Sequence, residues 1–166
     1  MRNHFKASLL AMTVAIVVGG VIASASAQNA PPPAPPSASK QAVENRKAAF
    51  TLIGNYFRYF GAVAKGNAPY DEAEATKRAA RIAFLAGIVE DAFPEGSNPG
   101  EPDSKAKADV WSNRAEFDRK LKSFQADAQA FVDVNGKEKN ANDAWKASVA
   151  ALAQDCKGCH ETYKIK

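Results

Sequence analysis

From Lys40 to the carboxyl end, apolar side chains recur every three or four residues in four separate segments, and no stretch alternates convincingly with period two. That spacing lines one face of an α-helix, whereas a half-buried strand needs strict alternation. The first seam runs through Val43, Arg46, Phe50, Ile53, Phe57 and Phe60, and Gly66-Asn67-Ala68-Pro69 supplies its stop. The second opens at Asp71, a candidate N-cap, and uses Ala75, Ala79, Ile82, Ala86, Val89 and Phe93, with Leu85 and Ile88 widening the face. A polar stretch at 94–104 precedes the third seam, Val110, Arg114, Phe117, Leu121, Phe124, Ala128 and Phe131. It is expected to end at Asn135-Gly136, since that pair accepts left-handed backbone angles. The fourth carries Trp145, Val149, Leu152, Cys156, Cys159 and Tyr163. Four amphipathic helices with two short connections and one longer one predict an all-α chain folded as an antiparallel four-helix bundle. Such a length, about 125 residues, is enough for one core.

The segment before the helices has a different composition. Arg2 and Lys6 precede an apolar run from about Leu9 to Ile22, and Ala25-Ser26-Ala27 forms a small-x-small cleavage site. Residues 1–27 therefore read as a cleaved secretory signal. The competing reading, a membrane anchor, is disfavoured by Gly19 and Gly20 and by a run short of the ~20 residues of a bilayer span. Residues 28–39, QNAPPPAPPSAS, read as a Pro-rich, semi-rigid linker, with a Pro-rich recognition ligand as the alternative. Residues 40–166 form the helical domain. Removing the signal changes 22 basic against 18 acidic residues to 20 against 18, a net charge of +2. That balance is too mild to indicate nucleic-acid binding. Lys164-Ile165-Lys166 reads as a solvated basic end, with weak steering of an acidic partner as the sharper reading.

Near the carboxyl end stands Cys156-Lys157-Gly158-Cys159-His160. On a helix these thiols and the imidazole fall at i, i+3 and i+4, on one face. Two thioether bonds to a porphyrin edge and one imidazole beneath its metal need that placement, and Cys-x-x-Cys-His reads as a c-type haem attachment. A Cys156–Cys159 disulfide would use no histidine and close a loop too short to matter. A thiol redox pair wants a strand-to-helix context that is missing here. A structural zinc site wants four ligands. The expectation is one haem c per chain, held covalently by Cys156 and Cys159, with His160 as axial iron ligand.

The partner opposite His160 is harder to find. The chain has two methionines, Met1 and Met12, and two histidines, His4 and His160. Met1, Met12 and His4 lie in the expected signal, so the processed chain offers neither Met/His nor bis-His ligation. Lysine, water or nothing remains, and lysine must first lose a proton held with a pKa near ~10. Five-coordinate, high-spin iron that binds small uncharged gases is the expectation, with electron exchange still open.

These residues resemble class II c-type cytochromes, the cytochrome c′ family. AVENRKAAFTLIGNYF is similar to its first helix, KGNAPYDEAE to its first turn, DVWSNRAEF to its third-helix start and CKGCHETYK to its haem helix. The resemblance covers residues from about 40 onward, and its fold is one of the standard four-helix bundles. It implies that Arg46 reaches a haem propionate and that Lys47 contacts the haem periphery. It implies that Phe50 covers the distal face, where Met or Leu is common. It also implies that Asp103 and Ser104 lie near the haem edge and that Lys164 stands beside the proximal pocket.

The function it implies is periplasmic binding of nitric oxide, and of carbon monoxide, by a protein that is not an enzyme. An electron-transfer cytochrome exchanging electrons with periplasmic redox partners is the alternative. A CxxC thiol redox module without haem is the reading from outside haem chemistry. No distal acid–base pair is evident for peroxidase or nitric oxide reductase turnover. A homodimer packed through the first two helices is also implied, with Tyr56, Tyr59 and Tyr70 as candidate interface aromatics. No membrane span is expected after signal removal.

Overall fold

The four seams become four long helices. In the computed structural model, which describes residues 36–97 and 101–166, α1 spans Ala38–Ala64, α2 Glu72–Val89, α3 Asp109–Ser112, α4 Arg114–Lys137 and α5 Asp143–Tyr163. A 3-10 turn, Glu90–Ala92, extends α2. The expected signal and residues 28–35 of the expected linker lie outside the described residues. Helices α1, α2, α4 and α5 form the bundle, and α3 is a single turn in the long connection. Among the described residues there is no strand, only an isolated antiparallel bridge between Ala106 and Lys164.

Local chemistry explains the ends. Asp71 caps α2 by accepting from the Glu74 N–H at 2.8 Å, as its sequence position suggests. Ser37 caps α1, so the helix starts two residues ahead of the expected domain boundary, inside the expected linker. Gly66 adopts φ 73°, the Gly66 N–H bonds to Val63 and the Asn67 N–H to Ala62, and these paired bonds satisfy carbonyls that the end of α1 would leave bare.

Two expectations for the third helix need correction. It breaks at Asn113 (φ −124°, ψ 52°), leaving α3 separate from α4. At its far end Asn135-Gly136 does not stop it; the helix runs through Gly136 to Lys137. Asn135 is buried instead, donating to the Phe131 carbonyl at 2.7 Å and accepting from Trp145 Nε1 at 2.9 Å. Buried polar atoms must be paired, and this side chain spends its amide on the core rather than on a turn.

The core is aromatic along α1, α4 and α5 and small along α2. Phe60 meets Phe131 edge-on at 4.7 Å between centroids, and Trp145 lies between Phe60 and Tyr70. Ala75, Ala79 and Ala86 are fully buried, which lets α2 lie close to its neighbours. The three tyrosines considered for a dimer face work within the chain. The Tyr59 hydroxyl accepts from the Asp71 N–H and donates to the Asp71 carbonyl, Tyr70 donates to the Glu138 carbonyl, and Tyr56 lies under Arg81. No described helix is long and apolar enough to cross a membrane.

Candidate functional site

Neighbouring helices around the bundle pack densely except for one pair. α1 touches α2, α2 touches α4 and α4 touches α5 extensively, whereas α1 and α5 meet only sparsely. At that open seam the side-chain pattern of α1 departs from its surroundings. Val43, Arg46, Ala49, Ile53 and Phe60 are buried, yet Phe50 on the same seam is 37% exposed. An apolar side chain pointing inward and left uncovered signals room for something else.

What Phe50 faces is His160. Their ring centroids are 6.5 Å apart and the planes stand at 72°. An imidazole bound end-on to a metal stands upright on a macrocycle, while an aromatic covering the other face lies flat against it. A near-perpendicular pair suits both. A metal–nitrogen bond of about 2 Å, half an imidazole and a carbon contact of about 3.5 Å together span roughly 6.5 Å. The donors therefore fit a haem between α1 and α5.

The two thiols lie on α5 beside this seam. Cys156 and Cys159 are free and half-buried. Burial, then Asp155 and Cys159, push the Cys156 thiol above its ordinary value. Burial also raises Cys159, against the pull of Lys120, with Asp155 adding to the rise. A redox or nucleophilic cysteine needs the opposite, a thiolate stabilised by positive charge. Protonated, partly apolar thiols suit permanent thioether attachment and disfavour the thiol redox reading. Crowding lowers the His160 pKa although the residue is exposed by area, and Lys164 lowers it further. Both effects favour the neutral imidazole that a metal requires. Among the described residues no group of three or more His, Cys, Asp or Glu side chains is arranged to hold a metal ion by itself.

Arg46 is the most unusual charge nearby. It is 4% exposed. NH1 donates to the Ala92 carbonyl and Ser97 Oγ, both at 3.3 Å, and NH2 donates to the Ser97 carbonyl at 3.1 Å and Ser104 Oγ at 2.9 Å. Its guanidinium also lies 5.2 Å from the Phe93 ring centroid. All four hydrogen-bond acceptors are neutral. Burial depresses the Arg46 pKa, and the more distant Glu101 only partly opposes this. A buried cation without a carboxylate is costly, so the site is short of one negative charge.

Of the expected haem-periphery residues, the structure joins Arg46 to Ser104. Asp103 and Lys47 are exposed, and neither makes a side-chain hydrogen bond or ion pair among the described residues. Lys164 is exposed and lines a groove with His160. Sequence reasoning missed Ser97 as a partner of Arg46. Gly96 at φ 81° closes the Pro94–Ser97 turn and delivers Ser97 to Arg46. Phe93, expected only as core, is 6.3 Å from Phe50 and supports it edge-on.

Asp155, beside Cys156, was also unforeseen. Its pKa is raised to about 6, first by burial and then by the facing Asp127 carboxyl of α4, with Lys120 opposing. Its buried Oδ2 has no hydrogen-bond donor, a natural seat for a proton. The folded pKa lies above the ordinary 3.8, so the stabilisation is complete below about pH 4 and is lost as pH rises through about 6. Asp155→Asn should remove this dependence and leave the protein more stable above pH 6. Discounted for solvent screening, the gain is on the order of 1 kcal/mol. Urea denaturation at pH 5 and 7.5 checks this; an unchanged difference between the two pH values would contradict it.

The same architecture recurs among known proteins. The sequence profile of the family described as Cytochrome C' matches residues 41–164. Cytochrome c' of Rubrivivax gelatinosus is 37% identical over 125 residues, covering 75% of this chain and 95% of that protein. The structure of cytochrome c prime from Shewanella frigidimarina matches with a TM-score of 0.72 at 35% identity, covering 80% of this chain and 100% of that one. A nitric oxide complex of a variant cytochrome c prime from Alcaligenes xylosoxidans matches with a TM-score of 0.71 at 27% identity, covering 80% and 100%. With a bundle of this topology, a Cys-x-x-Cys-His helix at its open seam and a profile spanning most of its length, the chain belongs to the cytochrome c′ family.

Proposed function

We propose that the haem c carried by this chain is attached through Cys156 and Cys159, has His160 as its one protein-derived axial ligand, and serves to bind nitric oxide and carbon monoxide. The observation that carries this reading is the apposition of Phe50 and His160, 6.5 Å apart across the open seam. When bound, the haem supplies an iron that accepts a small diatomic ligand. Everything else falls to the chain's own side chains. His160 donates a nitrogen lone pair, and Phe50 has none to offer. Phe50, supported by Phe93, crowds the distal face and supplies no hydrogen-bond donor, which favours small uncharged gases. Arg46, with Ser104 beside it, contributes the cation that a haem propionate neutralises. Lys47 and Asp103 lie at the periphery and Lys164 flanks the proximal side.

Removal of residues 1–27 in the periplasm would leave no methionine and no second histidine to face His160 across the haem, which favours five-coordinate, high-spin iron over lysine ligation, since lysine must first lose its proton. Residues 28–37 then tether the bundle, whose first helix begins at Ala38. The nitric oxide complex of the related Alcaligenes xylosoxidans variant supports nitric oxide as ligand. On the outer face of α1 and α2, Leu52, Phe84 and Ile88 are 41%, 71% and 39% exposed. They form the proposed homodimer contact, and sedimentation equilibrium of the Phe84→Glu variant as monomer would support it.

The direct test is the absorption spectrum of the reduced holoprotein with and without each gas. A low-spin spectrum that neither gas alters would defeat the reading and favour a dedicated electron carrier. Phe50→Met places a thioether where the ring lies. It should move the iron toward low spin and weaken carbon monoxide binding at least about tenfold, since each tenfold costs the gas only ~1.4 kcal/mol of competition. A folded variant with unchanged spectrum and affinity would remove Phe50 from the distal face.

A further inference from the structure

A surface groove of about 590 Å³ runs beside His160, and lysines from distant parts of the chain wall it. Lys157 belongs to α5, Lys164 and Lys166 to the tail after it, and Lys105 to the connection before α3. Backbone pairing gathers them. The Lys107 N–H donates to the Tyr163 carbonyl at 2.9 Å and the Ile165 N–H to the Lys105 carbonyl at 2.8 Å, which stitches the tail antiparallel to residues 105–107. Lys107 joins from the rim, its Nζ donating to the Glu161 carbonyl at 3.2 Å.

Glu161 is the one acidic side chain in the lining, and its 3.9 Å approach to Lys157 is an exposed pair of little energetic weight. Ile165, 43% exposed, adds an apolar side chain to the same lining. The processed chain as a whole is near neutrality, at 20 basic against 18 acidic residues. Five lysines against one glutamate therefore make the surface beside His160 locally positive.

We propose that this groove is the docking face for a small redox protein with an acidic surface. The inference rests on the haem reading above and adds the partner and the place where it binds. An ammonium rim around one exposed aliphatic side chain is the pattern of a transient, steered encounter, in which rim charges set the association rate. Docked there, the partner's reduced one-electron centre, a flavin or a metal, gives one electron to the ferric haem. The partner's centre is oxidised by one electron, the iron becomes ferrous, and no covalent bond is made or broken. An anionic lipid surface is the poorer occupant. Membrane-lying segments need a broad apolar face, and this groove offers Ile165 alone, on a tail tied to a loop.

The test uses holoprotein and reduced flavodoxin, an acidic flavoprotein, as probe in anaerobic stopped flow. In the double variant Lys105→Glu/Lys166→Glu only exposed side chains change, and the bridging backbone bonds remain. The wild-type rate should fall steeply with ionic strength. The variant should be at least about tenfold slower at low salt and nearly salt-independent. Its carbon monoxide and nitric oxide spectra should match wild type, and Lys105→Gln/Lys166→Gln should fall between. A variant as fast as wild type overturns the proposal. So does wild-type protein that sediments with phosphatidylglycerol vesicles while its reduction by flavodoxin ignores salt. Amide-shift titration with oxidised flavodoxin separates the two readings. Shifts at 105–107 and 163–166 in a chain without a haem absorbance band would uphold docking and sink the haem; no shifts there would sink docking alone.

Discussion

Replacing Cys156 and Cys159 together with alanine is expected to abolish covalent haem: the denatured protein should release all of its porphyrin into acidified organic solvent. Neither cysteine has another task, since both thiols are free and held protonated beside the seam. The loss extends to stability. α1 and α5 hardly touch each other, and Phe50 stays uncovered at 37%. A group tethered by thioethers stays on the chain when it unfolds, so it stabilises only through the apolar surface it buries between α1 and α5 in the folded state. Losing about 120 Å² of that burial costs the haem-free variant about 3 kcal/mol, roughly 10 °C in Tm for a domain of this size. His160→Ala keeps both thioethers and separates the two effects: porphyrin should stay attached while the iron loses its nitrogen ligand and its spectrum changes. Porphyrin still covalently bound in the double alanine variant would place the attachment elsewhere.

Trp145→Ala should be the most destabilising single change in the core, by about 4 kcal/mol, within the range for truncating a buried Trp or Phe. Trp145 is fully buried, at 0% exposure, between Phe60 and Tyr70. Its Nε1 also serves the buried Asn135 Oδ1 at 2.9 Å. Truncation opens a cavity and strands that oxygen. Trp145→Phe isolates the second cost: most of the volume returns, and a deficit of about 1–3 kcal/mol should remain from the unpaired amide. Urea denaturation of both variants reads the difference. If Trp145→Phe were neutral, the Asn135 bond would contribute nothing.

How legible all this was depends on the range of the interaction. The four seams, the Asp71 cap and the Gly66 stop are encoded within one or two turns of chain, and the helices follow them. Cys156, Cys159 and His160 share a face because helical spacing alone requires it. Asn135-Gly136 shows where local reasoning fails. As a dipeptide it favours a turn, but Trp145, ten residues on, offers a buried donor, and the helix continues. Phe50 and Arg46 were legible as members of a seam, although nothing in α1 by itself distinguishes a core position from one left open.

The periodicity of the chain determined the class of fold, and the spacing of two thiols and an imidazole determined the kind of cofactor, because both are properties of a single helix. Tertiary structure alone decided that α1 and α5 stand apart, that Phe50 confronts His160, that Arg46 is surrounded by neutral acceptors, and that Lys105 joins Lys157, Lys164 and Lys166 on one wall. Each of these pairs groups separated by long stretches of chain, and such contacts form only after the entropy of closing the intervening loops has been overcome by packing elsewhere.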